Sequence, residues 1–150
     1  MRGREIPAGL YPIVAGVLVK HTGGDYLVMQ RDYRKAGYPG KFEAGASGAV
    51  LQGEAPHQGA LRELQEETGI EAGTLTFLFA VNDLTQTLFF CCLCLADTDT
   101  QAITLQAGET IAYRWLPEAD FMAFIRSAAF AQEPFARWAP YLSAVKSFGS

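Results

Sequence analysis

Cysteine is scarce in this 150-residue chain: three residues, Cys91, Cys92 and Cys94, crowded into one short stretch. An odd count in a short chain makes a poor disulfide framework. Neighbours on a strand point to opposite faces, so Cys91 opposes Cys92. Cys92 and Cys94 share a face, but no nearby Cys or His completes a zinc set. The expectation is buried, reduced thiols in a central strand, and hence a reducing cytoplasm. Basic charge is also in deficit, with 12 Lys and Arg against 16 Asp and Glu for a net charge of −4. A general nucleic-acid binder would need a basic face, so no stable nucleic-acid binding is expected. Long hydrophobic runs are missing too. The longest, Leu88 to Ala96, falls well short of the ~20 residues that cross a bilayer as a helix. Ile13 to Val19 follows two arginines, but it is short, contains Gly16 and runs into Lys20-His21 without a small-residue cleavage site. We therefore expect no leader and no membrane association. Histidine appears twice, as His21 in a turn and His57 near a helix start, with no partner pattern implying a nucleophile or triad.

What remains is a compact chain. Hydrophobic residues make up 49% of it, enough for one domain over residues 1–150 with a proper core. Tyr11 to Val19 and Tyr26 to Arg31 read as a hairpin around His21-Thr22-Gly23-Gly24-Asp25. Phe42 to Val50 reads as a strand or a loop. Leu75 to Val81, Thr85 to Ala96 and Glu109 to Trp115 have strand character, while Pro117 to Ser127 and Pro134 to Phe148 have helical periodicity. There are no repeats and no low-complexity linkers. Strands broken by a central helix and closed by C-terminal helices predict a layered α/β domain.

The chemistry concentrates between Gly48 and Ile70. Pro56 suits a first helical turn, because its missing N–H would have been unpaired there. Gly69 stands where a left-handed C-terminal cap is wanted, so Pro56 to Thr68 reads as one helix with Ala60, Leu61, Leu64 and Thr68 as its buried stripe. Glu63 lies three residues before Glu66 and four before Glu67. Their Cβ atoms should be about 5–6 Å apart, where like charges destabilise a helix by a few tenths of a kcal/mol. A divalent cation would compensate, and carboxylate oxygens suit Mg²⁺ or Mn²⁺ rather than a thiol-seeking metal. A solvated acidic face is the alternative for a Glu-Glu pair alone. It is disfavoured by Glu54, Arg62 and the two glycines at fixed spacing around the carboxylates.

At every fixed position this segment resembles the signature of the Nudix hydrolases, G-x5-E-x7-R-E-U-x-E-E-x-G-U with U aliphatic: Gly48, Glu54, Arg62-Glu63-Leu64, Glu66-Glu67, Gly69 and Ile70. The resemblance implies an α/β/α sandwich around a mixed sheet, in which the signature forms a loop–helix–loop that holds the metals. It places Glu63, Glu66 and Glu67 as ligands of Mg²⁺ or Mn²⁺, with Glu63 in some members the base that activates water. Arg62 would orient a carboxylate through a bidentate salt bridge, with Glu54 in the same charged network. Gly48 would let the backbone approach a metal, which makes the Ser47 carbonyl a candidate ligand. Many relatives carry two glycines here, whereas this chain reads Gly45-Ala46-Ser47-Gly48. Outside the signature, Glu109 precedes a segment that resembles the late strand where relatives often place a further metal ligand or base; an ordinary strand-edge glutamate is the alternative. Asp83 is a weaker candidate for that role.

The implied activity is metal-dependent hydrolysis of a diphosphate linkage in a small-molecule nucleoside diphosphate derivative, by attack of water on phosphorus. A nucleoside triphosphate or nucleotide sugar is the default substrate. The residues after the signature, Val81 to Leu88, lack the proline of ADP-ribose members and the tyrosine of dinucleoside polyphosphate members. Between Arg31 and Lys41, the cations Arg31, Arg34, Lys35 and Lys41 face Asp32 alone, with Tyr33 and Tyr38 interleaved. Such a loop can receive phosphate and stack a base through Arg31, Tyr33, Arg34 and Lys35, or be a soluble loop with two half-buried tyrosines. Two other readings stay open. A non-catalytic nucleotide-sensing module would bind without turnover. An isopentenyl diphosphate isomerase-like enzyme would need a cysteine upstream of the signature, and all three lie downstream. Relatives are frequently homodimers.

Overall fold

The computed structural model describes residues 12–82 and 87–131. Strand β1 (Ile13–His21) and strand β2 (Tyr26–Arg31) form a tight hairpin. Its turn is closed by the His21 N–H donating to the Asp25 carbonyl at 2.7 Å and the Gly24 N–H donating to the His21 carbonyl at 2.8 Å. His21 itself is structural. Its ring lies 2.9 Å from the Thr98 carbonyl through Nε2, and Nδ1 accepts the Gly23 N–H at 3.0 Å.

Away from this turn the two strands separate, and the segment between Phe42 and Ala49 fills the gap. Strand β3 (Phe42–Ala44) pairs with β2, then strand β4 (Ala46–Ala49) crosses over to pair with β1. Gly45 makes the crossing. Its φ is +57°, its N–H donates to the Leu27 carbonyl at 3.0 Å, and an added Cβ would lie 1.9 Å from the Val17 carbonyl oxygen. No side chain fits between two backbones at that distance. The sequence suggested one strand or a loop here, and the break at Gly45 accounts for the difference.

Strand β6 (Leu88–Ala96) lies parallel to β1 along its whole length, and strand β5 (Thr76–Asn82) runs antiparallel on the outside of β6. Strand β7 (Thr110–Leu116) covers the outer edge of β2. The sheet is therefore mixed, with helix α1 (Pro56–Thr68) on one face and helix α2 (Glu118–Phe124) on the other. Period-two alternation divides the core between them. Ala15, Val17, Val19, Leu27 and Met29 face Ala60 and Leu64 of α1. Leu18, Tyr26, Val28, Phe89 and Cys91 turn to the other face with Phe121 and Ile125, where the Tyr26 and Phe121 rings stack at 4.6 Å. Each of the Val, Leu, Ile, Met and Phe side chains among them contributes roughly 1.5–3 kcal/mol on burial.

Helix α1 begins and ends where the sequence indicates. Gln58 Oε1 accepts the Ala55 N–H at 2.9 Å, the return half of a capping box. Gly69, at φ +80°, closes the helix with its N–H on the Gln65 carbonyl. Its buried stripe is Gly59, Ala60, Leu64 and Thr68. Gly59 thus takes the place expected of Leu61, which is only half-buried. Helix α2 is shorter than Pro117 to Ser127. The Arg126 and Ser127 N–H groups reach back three residues, to the carbonyls of Ala123 and Phe124, so the last turn tightens out of the α pattern. The three cysteines are buried and free on the doubly flanked strand β6, and burial raises all three thiol pKa values. No helix among the described residues is long and apolar enough to cross a membrane. Tyr11, Asp83, Thr85 and the stretch Pro134 to Phe148 lie outside the described residues.

Candidate active site

A cleft of about 500 Å³ opens between the exposed side of α1, the β3–β4 segment and the loop after β2. Helix spacing sets its acidic wall. Residues 63, 66 and 67 are three and four apart, so one face of α1 presents all three glutamates to the cleft. Glu67 is the deepest of them. Removal from water raises its pKa well above the ordinary carboxylate value, and the neighbouring carboxyls of Glu63 and Glu43 raise it further. The Ser47 N–H, 3.4 Å from Glu67 Oε1, opposes this shift weakly.

Arg62 fixes the outer part of the wall. Its Nε and Nη2 donate to Glu54 Oε2 and Oε1 at 2.9 and 3.1 Å, a bidentate pair. Nη1 reaches Glu63 Oε2 at 2.9 Å and Glu66 Oε1 at 3.3 Å. Nη2 also donates to the Ala49 carbonyl at 2.9 Å, which ties the helix to the end of β4. Glu54 accepts the Leu51 N–H as well, at 2.9 Å, and its pKa is lowered mainly by the Arg62 hydrogen bonds. Gly48 explains its own identity. A Cβ there would fall 2.2 Å from Cδ of Glu63, so the carboxylate can lie over β4 only because the backbone is bare.

The opposite wall carries cations. A bulge between Gln30 and Arg31 re-aims the end of β2. Arg31 Nη1 donates to Glu43 Oε2 at 2.7 Å, while its Nε holds the Gly37 carbonyl at 2.7 Å. Lys35 pairs with Glu109 across the mouth of the cleft. Arg31, Lys35, Ser47, Gly48, Glu63, Glu66, Glu67 and Glu109 therefore meet in one cavity. Tyr33 and Arg34, expected at the substrate, do not line it. Tyr33 is 69% exposed, and Arg34 turns to Asp32, with Nη2 to Oδ2 at 2.8 Å. Tyr38 lines the cleft instead.

Glu43 is the site residue that sequence reasoning missed. In the β2–β3 register it lies opposite Met29, whose side chain faces α1. Cross-strand neighbours share a face, so Glu43 is turned toward Glu67. Its only signal in the sequence is a lone charge in a small-residue stretch.

The donor set consists of oxygens, which suits a hard divalent cation. Among the described residues no three His, Cys, Asp or Glu groups stand as a ready-made ligand set. A buried carboxyl pressed by two others nonetheless needs a proton or a cation to neutralise it, and in that respect the residues fit.

Known proteins resemble this chain in sequence and in fold. The NUDIX domain family matches residues 10–139. An uncharacterised Nudix hydrolase of Listeria monocytogenes is 36% identical over 70 residues, 47% of this chain and 41% of that protein. One of Pseudomonas aeruginosa is 39% identical over 59 residues, 39% of this chain and 35% of that protein. The chain thus spans less than half the length of these relatives. Among solved structures, DR0079 of Deinococcus radiodurans matches with a TM-score of 0.68 at 19% identity, covering 85% of this chain and 82% of that one. The MutT protein of Methanosarcina mazei gives 0.64 at 23% identity over 87% and 94% of the two chains. The NUDIX domain of Shewanella oneidensis NrtR, complexed with ADP ribose, gives 0.64 at 19% over 89% of each. At such identities these structures share the fold.

Proposed function

This chain belongs to the NUDIX domain family, and from that membership we propose that it hydrolyses a diphosphate linkage in a nucleoside diphosphate derivative, of nucleoside triphosphate or nucleotide-sugar type. The observation that carries the proposal is the crowding of Glu67 by Glu63 and Glu43 in a cleft that also offers Arg31 and Lys35. Glu63, Glu66 and Glu67, with the Ser47 carbonyl and Glu109, are the groups that would hold Mg²⁺ or Mn²⁺. When bound, such an ion neutralises phosphate oxygens, lowers the pKa of a water and stabilises the leaving phosphate.

The chain's own residues supply the rest. Arg62, itself tied to Glu54 and to the Ala49 carbonyl, holds the Glu63 carboxylate in one orientation. A cleft glutamate takes the proton of the attacking water. Arg31 and Lys35 meet the negative charge of the substrate. The products are a nucleoside monophosphate and either a second phosphorylated fragment or pyrophosphate.

The test is product release from nucleoside triphosphates, nucleotide sugars, ADP-ribose and dinucleoside polyphosphates, each with Mg²⁺, with Mn²⁺ and with chelator, beside Glu67→Gln. Cleavage that needs metal and disappears in the variant supports the proposal. Full metal-dependent turnover in Glu67→Gln would end it. Ligand binding without turnover across the panel would favour a nucleotide-sensing module.

A further inference from the structure

The charges lining the cleft do not suit an anionic substrate as they stand. Among the described residues, Arg31 and Lys35 face five glutamates, Glu43, Glu63, Glu66, Glu67 and Glu109, so with every group ionised that lining is three charges negative. Both cations are also engaged. Arg31 Nη1 is 2.7 Å from Glu43 Oε2, and Lys35 is paired with Glu109. A diphosphate entering now would meet a negative field and two cations already satisfied.

The two pairs have a common layout. Each joins a cation from β2 or the loop after it to a carboxylate on the lining of the same cleft. Neither pair is deeply sealed, with side-chain exposures of 18% and 24% for Arg31 and Glu43 and 27% and 46% for Lys35 and Glu109. Exchange of partners is cheap at the Lys35–Glu109 rim, and at the more buried Arg31–Glu43 pair it requires that the incoming cation and phosphate replace the partners lost. Arg31 is also anchored by its Nε on the Gly37 carbonyl, so Nη1 can leave Glu43 without the side chain swinging away.

We propose that Arg31 and Lys35 are a phosphate-binding pair kept in reserve by Glu43 and Glu109, and that a divalent cation drawn to the glutamates frees them for the substrate's phosphates. Cation and diphosphate then bind in an interdependent way, each removing the partner that excludes the other. The inference rests on the diphosphate-hydrolase reading and adds to it an order of events and a role for Glu43.

Binding rather than turnover tests it, with α,β-methylene-ADP as the probe and calorimetry as the readout. In chelator, Glu43→Gln is expected to bind the probe about tenfold more tightly than the unmodified chain, the size of one charge-assisted hydrogen bond regained. Adding Arg31→Gln to Glu43→Gln should abolish that gain. Glu66→Gln, which removes a cleft charge tied to neither cation, should give a smaller gain from the field alone. Glu109→Gln, with and without Lys35→Gln, repeats the comparison at the exposed rim and stands whether or not Glu43→Gln folds. Mg²⁺ should tighten binding to the unmodified chain. The exchange is overturned if Glu43→Gln and Glu109→Gln bind no better than Glu66→Gln, or if the gain survives loss of the cation. If those results coincide with metal-dependent cleavage in the substrate panel, only the exchange fails. Absence of both probe binding with Mg²⁺ and cleavage would remove the hydrolase reading as well.

Discussion

Arg62 is the position where a substitution tests most of the structural argument. Glu54 lies outside α1, in the segment that leads to it, and the bidentate pair at 2.9 and 3.1 Å joins that segment to the helix. The side chains are 24% and 16% exposed, between a surface pair, worth about 0–1 kcal/mol, and a buried one, whose breaking costs about 3–5 kcal/mol. Arg62→Gln should therefore destabilise the fold by about 2 kcal/mol, or roughly 4–8 °C in Tm for a chain of this size. Glu54→Gln should lose a similar amount. The double variant should lose much less than the two together, because each single change strands the other partner. Thermal unfolding followed by circular dichroism supplies all four Tm values, and turnover should fall in Arg62→Gln as Glu63 loses its anchor. Strict additivity, or a single-variant loss below about 0.5 kcal/mol, would show that the network is a surface decoration and not the clamp described above.

Two glycines separate folding from function. Gly48→Ala should displace the Glu63 carboxylate, a movable group, so turnover drops at least about tenfold with Tm changed little. Gly45→Ala, against the Val17 carbonyl at positive φ, should cost roughly 2–4 kcal/mol in denaturant unfolding. If the two variants behave alike, the distinction is wrong. Asp32 gives a pH test: its hydrogen bonds with Arg34 bring the carboxyl from 3.8 down to about 2. Its folded pKa is depressed, so its contribution is complete above the unfolded value and lost as pH falls through the folded one. Asp32→Asn should flatten the acid limb of the Tm-against-pH curve there, and an unchanged limb would contradict the assignment. Glu67 has the opposite sign. Its raised folded pKa means the native state holds a proton that the unfolded chain has released, so in chelator stability should fall as pH rises above the unfolded value. Mg²⁺ should raise Tm increasingly over that range and lose the effect in Glu67→Gln. A Tm increment independent of pH would argue against a carboxylate site.

What was readable in the sequence follows from how local each constraint is. The bounds of α1 are set within a few residues, by Pro56 at one end and Gly69 at the other, and the glutamates follow from helix geometry alone. Strand β2 is similarly local, bounded by the tight turn before it and the basic loop after it. The β3–β4 segment is different. Its break at Gly45 is dictated by two backbones, those of Leu27 and Val17, and nothing adjacent in sequence announces them.

Glu43 is hidden for the same reason. Its role depends on a three-residue strand pairing with Met29 and on Arg31 being re-aimed by a bulge, both products of long-range register. The basic loop shows the limit from the other side. Composition grouped Arg31, Tyr33, Arg34 and Lys35 together, but the close Asp32–Arg34 pairing turns Arg34 back on its own loop, while Arg31 and Lys35 reach glutamates of distant elements. Like residues in one loop thus divide according to which carboxylate each can reach, and only the folded chain decides that.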